Sequence, residues 1–158
     1  MKWLLFFLVF PFVTIAQNCD DMPDLNKEIL ALAEKKMSKK VGTGECWDLA
    51  NYVLEETNAE WDEFEVYGAL INYKTDCIYP GDVIQFEKIK LEWEEGDMTY
   101  YETMQHHTAI VYEVIDKNLL VLIHQNTGHH GKKVGTSEFR LDAIVKGEIF
   151  VYRPVAGN

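Results

Sequence analysis

The sequence predicts an α+β fold in which two N-terminal helices pack on an antiparallel β-sheet. Two observations predict it. Apolar residues between Asp24 and Thr57 recur at helical spacing. From Val83 onward, short runs rich in Val, Ile and aromatic residues are separated by turn residues.

The first helix begins at Asp24, a capping residue type. It carries Leu25, Ile29, Leu32, Ala33 and Lys36 on one stripe and ends near the basic pair Lys39-Lys40. Val41 to Gly44 reads as a glycine-punctuated turn. The second helix starts near Glu45 and runs to about Thr57, with Cys46, Ala50, Val53 and Leu54 at i, i+4, i+7 and i+8. That spacing puts Cys46 on the buried face of the first turn, where backbone N–H groups have no intrahelical partner. Asn58 to Asp76 is acidic and aromatic, without a clear period.

Tyr79-Pro80-Gly81-Asp82 is a turn in which Asp82 satisfies local amides, and Val83-Ile84-Gln85-Phe86 opens the strands. Ile89 to Thr103 suits a hairpin with its tip near Gly96-Asp97. His107 to Ile115 and Leu119 to Gln125 form the next hairpin, turning near Asp116-Lys117-Asn118. Asn126 to Gly135 is a loop rich in histidine and glycine. Glu138 to Leu141 and Gly147 to Arg153 supply the last strands.

Residues 1–16 have the layout of a secretory signal peptide. A basic start at Lys2 precedes an apolar stretch from Trp3 to Ile15, and Thr14-Ile15-Ala16 reads as a cleavage site before Gln17. A secreted or periplasmic protein is expected, with residues 17–158 forming a single domain. Lipidation at Cys19 is disfavoured by Asn18 before it, because lipidation sites want a small residue there. No second apolar run reaches spanning length, so no membrane span is expected. Without Lys2, 14 basic side chains face 26 acidic ones, which argues against nucleic acid as an electrostatic partner.

Three cysteines in an oxidising compartment leave at least one thiol free unless the protein dimerises. The economical assignment pairs Cys19 with Cys77, or leaves both reduced, and keeps Cys46 free. A structural bridge through Cys46 is the alternative.

The candidate chemistry rests on order along the chain. Cys46 stands at a helix start, His107 opens a strand 61 residues later, and His124-Gln125-Asn126 ends the neighbouring strand. A helix N-terminus and a nearby imidazole are what turn a thiol into a nucleophile. A third polar group then fixes the imidazole's tautomer and orientation. His107, Ala109 and Val111 share one strand face, and packing of that face on the Cys46 helix would bring imidazole and thiol together. On the partner strand Leu120, Leu122, His124 and Asn126 share a face, and the register decides whether His124 or Asn126 meets His107.

Each residue alone has a duller reading. A half-buried cysteine is usually a small apolar filler, and a strand-end histidine is usually structural or exposed. Their joint placement favours chemistry. His106 is expected to face outward and to take no part, and His129 and His130 to sit in a solvated loop. Asp48 and Trp47 are expected to contribute first-turn charge and packing. No cofactor is expected, since there is no Gly-rich phosphate loop or GxSxG elbow. Metal binding is disfavoured because there is no H-E-x-x-H, no C-x-x-C and no histidine pair at i, i+4.

Gly44-Glu45-Cys46-Trp47-Asp48-Leu49-Ala50, Pro80-Gly81-Asp82-Val83-Ile84-Gln85-Phe86, His107-Thr108-Ala109-Ile110-Val111 and His124-Gln125-Asn126 together resemble the NlpC-type and CHAP-type cysteine amidase/peptidase superfamily of papain-like fold. The likeness covers roughly residues 41–154, and its GECWDLA segment with the closing Tyr152-Arg153-Pro154 is similar to a secreted branch of it. It implies Cys46 as nucleophile and His107 as general base and then acid. It also implies His124 as third member, with Asn126 as polar assistant. CHAP-type domains carry Glu where His124 stands, whereas NlpC-type domains often use His. The substrate implied is a peptide or amide, with peptidoglycan stem peptides implied by analogy. The competing expectation is a non-catalytic binding domain on the same fold, using Trp61, Trp93, Tyr100 and Tyr101 as its recognition surface.

Overall fold

The computed structural model describes residues 19–157; the signal peptide expected at 1–16 lies outside them. Helices α1 (Asp24–Glu34) and α2 (Asp48–Glu56) precede six strands: β1 (Ala69–Ile71), β2 (Val83–Glu95), β3 (Met98–Val114), β4 (Leu119–His124), β5 (Gly135–Arg140) and β6 (Ile144–Arg153). The strands form one sheet in the order β1-β6-β2-β3-β4-β5, every neighbouring pair antiparallel. No helix among the described residues is long and apolar enough to cross a membrane.

Both helices are shorter than their sequence patterns. α1 stops at Glu34 rather than near Lys39 because the chain is drawn into pairing with a distant segment. The Ser38 N–H donates to the Val134 carbonyl and the Val134 N–H to the Lys39 carbonyl. α2 begins at Asp48, so Cys46 lies in the turn just ahead of it, where the Asp48 N–H bonds the Glu45 carbonyl. β1 falls in the segment without periodicity, three residues long and paired only with β6. The hairpin expected at Gly96 is present and is the tip of one long ribbon, β2 and β3 running in register from Glu95–Met98 back to Val83–Ile110.

The sheet carries a hydrophobic core on each face. Ile29, Leu49, Ala50, Val53 and Leu54 of the helices pack with Val83, Ile110, Ile123 and Tyr67 on one side. Ile84, Phe86, Ala109, Val111, Leu122 and Phe139 form the other, with no α-helix among the described residues packed in it. This corrects one expectation. The face of β3 that meets α2 is that of Ile110, while the small-residue face of Ala109 and Val111, on which His107 also lies, turns into the second core.

A disulfide joins Cys19 to Cys77, the pairing the sequence favoured, and leaves Cys46 as the free thiol. Beside it Asp82, fully buried, accepts from Arg153 Nε at 2.7 Å, Arg153 Nη2 at 2.9 Å, Asn26 Nδ2 at 2.8 Å and the Tyr79 N–H at 2.9 Å. The local turn role of Asp82 is present, but its stronger partner comes from the far end of the chain.

Candidate active site

Two opposed sets of bonds hold the turn carrying Cys46. From the helix side, the Asp48 carboxylate accepts from Thr43 Oγ1 at 2.8 Å, the Gly44 N–H at 2.8 Å and the Glu45 N–H at 2.9 Å. The loop wraps tightly around that carboxylate. Gly42 has φ +55°, and a Cβ there would meet the Asp48 carboxyl carbon at 2.7 Å, so only glycine fits without displacement. Asp48 is therefore the organiser of the turn, more than the first-turn charge its position suggests.

From the sheet side, the residues that follow His124 reach across. The buried Gln125 amide pairs with Val41 as a strand would, accepting from its N–H and donating to its carbonyl, both at 3.1 Å. It also donates to the Glu45 carbonyl at 2.7 Å. Asn126 Nδ2 and Lys132 Nζ bind the Glu45 carboxylate at 3.0 and 2.9 Å. The thiol's turn is thus tied to the end of the strand that ends in His124. Cys46 itself is half-buried, and its N–H and Sγ make no hydrogen bond among the described residues.

The two imidazoles meet. β3 and β4 pair at Ile110–Ile123, which makes His124 the diagonal neighbour of His107 on the same face. His107 Nε2 and His124 Nδ1 are 2.9 Å apart, the rings edge to face with centroids at 5.1 Å. The relay continues, since His124 Nε2 lies 2.9 Å from Ser137 Oγ on β5. Both rings are over nine-tenths buried by surface area. Burial, then repulsion from His106, lowers the His107 pKa to about 4. Burial, then repulsion from His107 and His130, lowers that of His124 to about 3. At neutral pH each ring is a neutral imidazole, with one nitrogen donating and the other accepting. His107 Nδ1 has no hydrogen bond among the described residues.

The remaining candidates fall elsewhere. Asn126 bonds Glu45 and no imidazole, so in the structure it tethers the thiol's turn. His106 is exposed, held by Glu87 at 2.7 Å with Glu65 at 3.6 Å. His129 and His130 sit in the loop before β5, where His130 Nε2 contacts the Thr136 carbonyl at 3.1 Å. A cavity of about 580 Å³ is lined by His107, His124, Ser137, Asn126 and the other three histidines. No three His, Cys, Asp or Glu side chains among the described residues converge in a metal-holding group. A larger cavity of about 820 Å³ adjoins the disulfide and has neither imidazole nor free thiol in its walls. The smaller cavity holds the imidazole pair, and Cys46 is not among its lining residues. Of the aromatic surface expected for a binding domain, Trp93 and Tyr100 stack on the hairpin ribbon, but Trp61 stacks on the core residue Tyr67.

Sequence reasoning missed Ser137 and Gln125. Ser137 has no sequence signal, being one serine on a short strand. Gln125 had one, as a polar residue inside an apolar strand end.

The family model described as AIM3/BBC1 Cysteine proteinase-fold domain matches residues 24–158. A comparison with curated proteins finds no match. Among solved structures, Ly7917 with the hydrolyzing product of MDP superposes with a TM-score of 0.51 at 15% identity, covering 82% of this chain and 62% of that one. Ly7917 alone gives a TM-score of 0.49 at 15% identity, over 80% of this chain and 62% of that one. The likeness at 0.51 is one of fold.

Proposed function

The chain belongs to the AIM3/BBC1 cysteine proteinase-fold domain family, and from that premise we propose that it is an exported thiol hydrolase cleaving a peptide or amide bond. The observation that carries this reading is the tether between the free thiol's turn and the end of β4. There, His124 engages His107 Nε2 and leaves Nδ1 as the unoccupied nitrogen.

The proposed reaction requires the His107 imidazole, which lies on the face of β3 opposite α2, to come within proton-transfer reach of Cys46; neutral His107 then accepts the Cys46 proton on Nδ1 as sulfur bonds to the carbonyl carbon. The Cys46 N–H is available to the oxyanion that forms. Collapse breaks the C–N bond, and His107 returns its proton to the leaving amine. Water, deprotonated by His107, then adds to the thioester, and the acid leaves as the thiol is restored. His124 orients the His107 ring, and Asn126 acts through Glu45 on the turn.

Stem peptides of peptidoglycan are the first substrates to test, on the strength of the superfamily resemblance. The Ly7917 complex carries the hydrolyzing product of MDP, which is a property of that protein. A wall substrate would be held by a shaped cavity and not by bulk charge, because the mature chain is strongly acidic.

A second reading, a binding domain on the same fold, is favoured by the lack of a hydrogen bond between Cys46 Sγ and either ring. Alkylation separates the two. Under the hydrolase reading, His107→Ala slows alkylation of Cys46 at pH 6 by about tenfold, the low end of what general-base assistance contributes. Under the binding reading the rate is unchanged, and Cys46→Ala keeps full biological effect.

A further inference from the structure

The imidazole pair ends on a residue to which nothing above gives a role. We infer that Ser137 is a positioning residue of the site, holding His124 so that its Nδ1 meets His107 Nε2. This rests on the thiol-hydrolase reading for its use in catalysis, but not for its geometry.

His124 is bonded at both ring nitrogens, to His107 on one side and Ser137 on the other, each at 2.9 Å. Its ring is almost wholly buried, so neither nitrogen can exchange a protein partner for bulk water at no cost. Two bonds on opposite edges of the ring fix its rotation about the Cβ–Cγ bond. With one removed, a half-turn of the ring exchanges Nδ1 with a carbon and breaks the bond to His107 while the packing stays almost the same.

The pair also couples the two tautomers. If Nδ1 of His107 is to take a proton, Nε2 must carry the ring's hydrogen and donate it to His124 Nδ1. His124 then carries its own hydrogen on Nε2, pointing at Ser137 Oγ, which must accept it. Run the other way, with Ser137 donating, the chain leaves His107 Nδ1 already protonated and unable to act as base. The reactive state therefore needs an acceptor at position 137. A hydroxyl provides one and a methyl does not.

Neighbouring groups do not replace it. Of the charged and titratable side chains near the pair, His106 is taken up by Glu87 and Glu65, and His130 turns its Nε2 to the Thr136 carbonyl. Glu102 lines the same cavity and bonds neither ring.

The test uses full-length exported protein with ¹⁵N-labelled histidine, comparing wild type, Ser137→Ala and Ser137→Thr. Two-bond ¹H–¹⁵N spectra at pH 7 read each tautomer directly. In wild type, His107 and His124 are expected as the Nε2–H forms. Ser137→Ala should give a mixture at both rings and slow Cys46 alkylation at pH 6 at least fivefold, and Ser137→Thr should restore both. Unchanged tautomers in a folded Ser137→Ala protein would overturn the inference. So would labelling of Ser137 itself by a fluorophosphonate in a Cys46→Ala background, which would make that hydroxyl a nucleophile. The spectra do not depend on Cys46. If His107→Ala leaves alkylation untouched, the hydrolase reading falls and the spectra still decide whether Ser137 sets the pair.

Discussion

Two buried polar clusters in this molecule have opposite designs. Around Asp82, Arg153, Asn26 and the Tyr79 amide meet one fully buried carboxylate, with the Arg153 side chain partly exposed. Around His107 and His124 no charge is held at neutral pH, and the three-residue chain ends in a nitrogen with no bond. The first cluster fills the Asp82 carboxylate with fixed partners, though Asn26 Oδ1 is buried without a bond, and it locks α1, the β2 turn and β6 together. The second leaves His107 Nδ1 without a bond among the described residues, at a cavity wall. The ion pair with its filled carboxylate serves structure, and the neutral pair with an unbonded nitrogen at a cavity wall is where we place the proposed chemistry.

The sharpest way to break this contrast is Arg153→Ala. It leaves the Asp82 carboxylate buried with its cation gone, and a loss of about 3–5 kcal/mol is expected in urea unfolding. A loss under about 1 kcal/mol, the scale of an exposed ion pair, would mean that the cluster is not closed to water. Next in size is the disulfide. Replacing Cys19 and Cys77 together by serine should remove about 2–4 kcal/mol while leaving Cys46 alkylation unaltered, because the bridge lies at the other cavity.

Acid should act on the imidazole pair and spare the ion pair at first. The folded pKa values of about 4 and about 3 lie below the ordinary histidine value of 6.5. Between those limits the unfolded chain binds more protons than the folded one. Stability is therefore fully present above about pH 6.5 and is lost progressively as pH falls toward 3. A His107→Gln, His124→Gln double variant should flatten the profile through that window, and an unchanged slope would show that other groups carry it. Smaller still, Asp48→Asn weakens three bonds to a charged acceptor. About 1.5–2 kcal/mol should be lost, with the Cys46 turn loosened enough to alter its alkylation rate.

The sequence made parts of this legible because they are local. The α2 stripe, the β3–β4 hairpin with its turn at Asp116–Asn118, and the Asp82 turn each follow from neighbours within a few residues. The odd cysteine count and the helix-start position of Cys46 favoured pairing Cys19 with Cys77, without excluding two reduced thiols or a bridge through Cys46.

What failed to show was long-range or ambiguous in pattern. The strand His107 to Val111 is buried on both faces, so periodicity could not tell which side meets the helix. The side with the small residues was the wrong one. The α1 terminus was set by Val134, nearly a hundred positions away, which overrode a pattern that continues to Lys36. Arg153 and Ser137 join their clusters only through the sheet order, which brings β6 beside β2 and β5 beside β4. Neither residue looks unusual in its own segment.

The central claim is that the free thiol is served by the imidazole pair. Alkylation of Cys46 at pH 6, with the Cys19–Cys77 bridge intact, compares wild type with His107→Ala most directly. A fall of about tenfold in the rate, with folding preserved, is the predicted result. Equal rates in the two proteins would contradict the account and leave the fold without a working nucleophile.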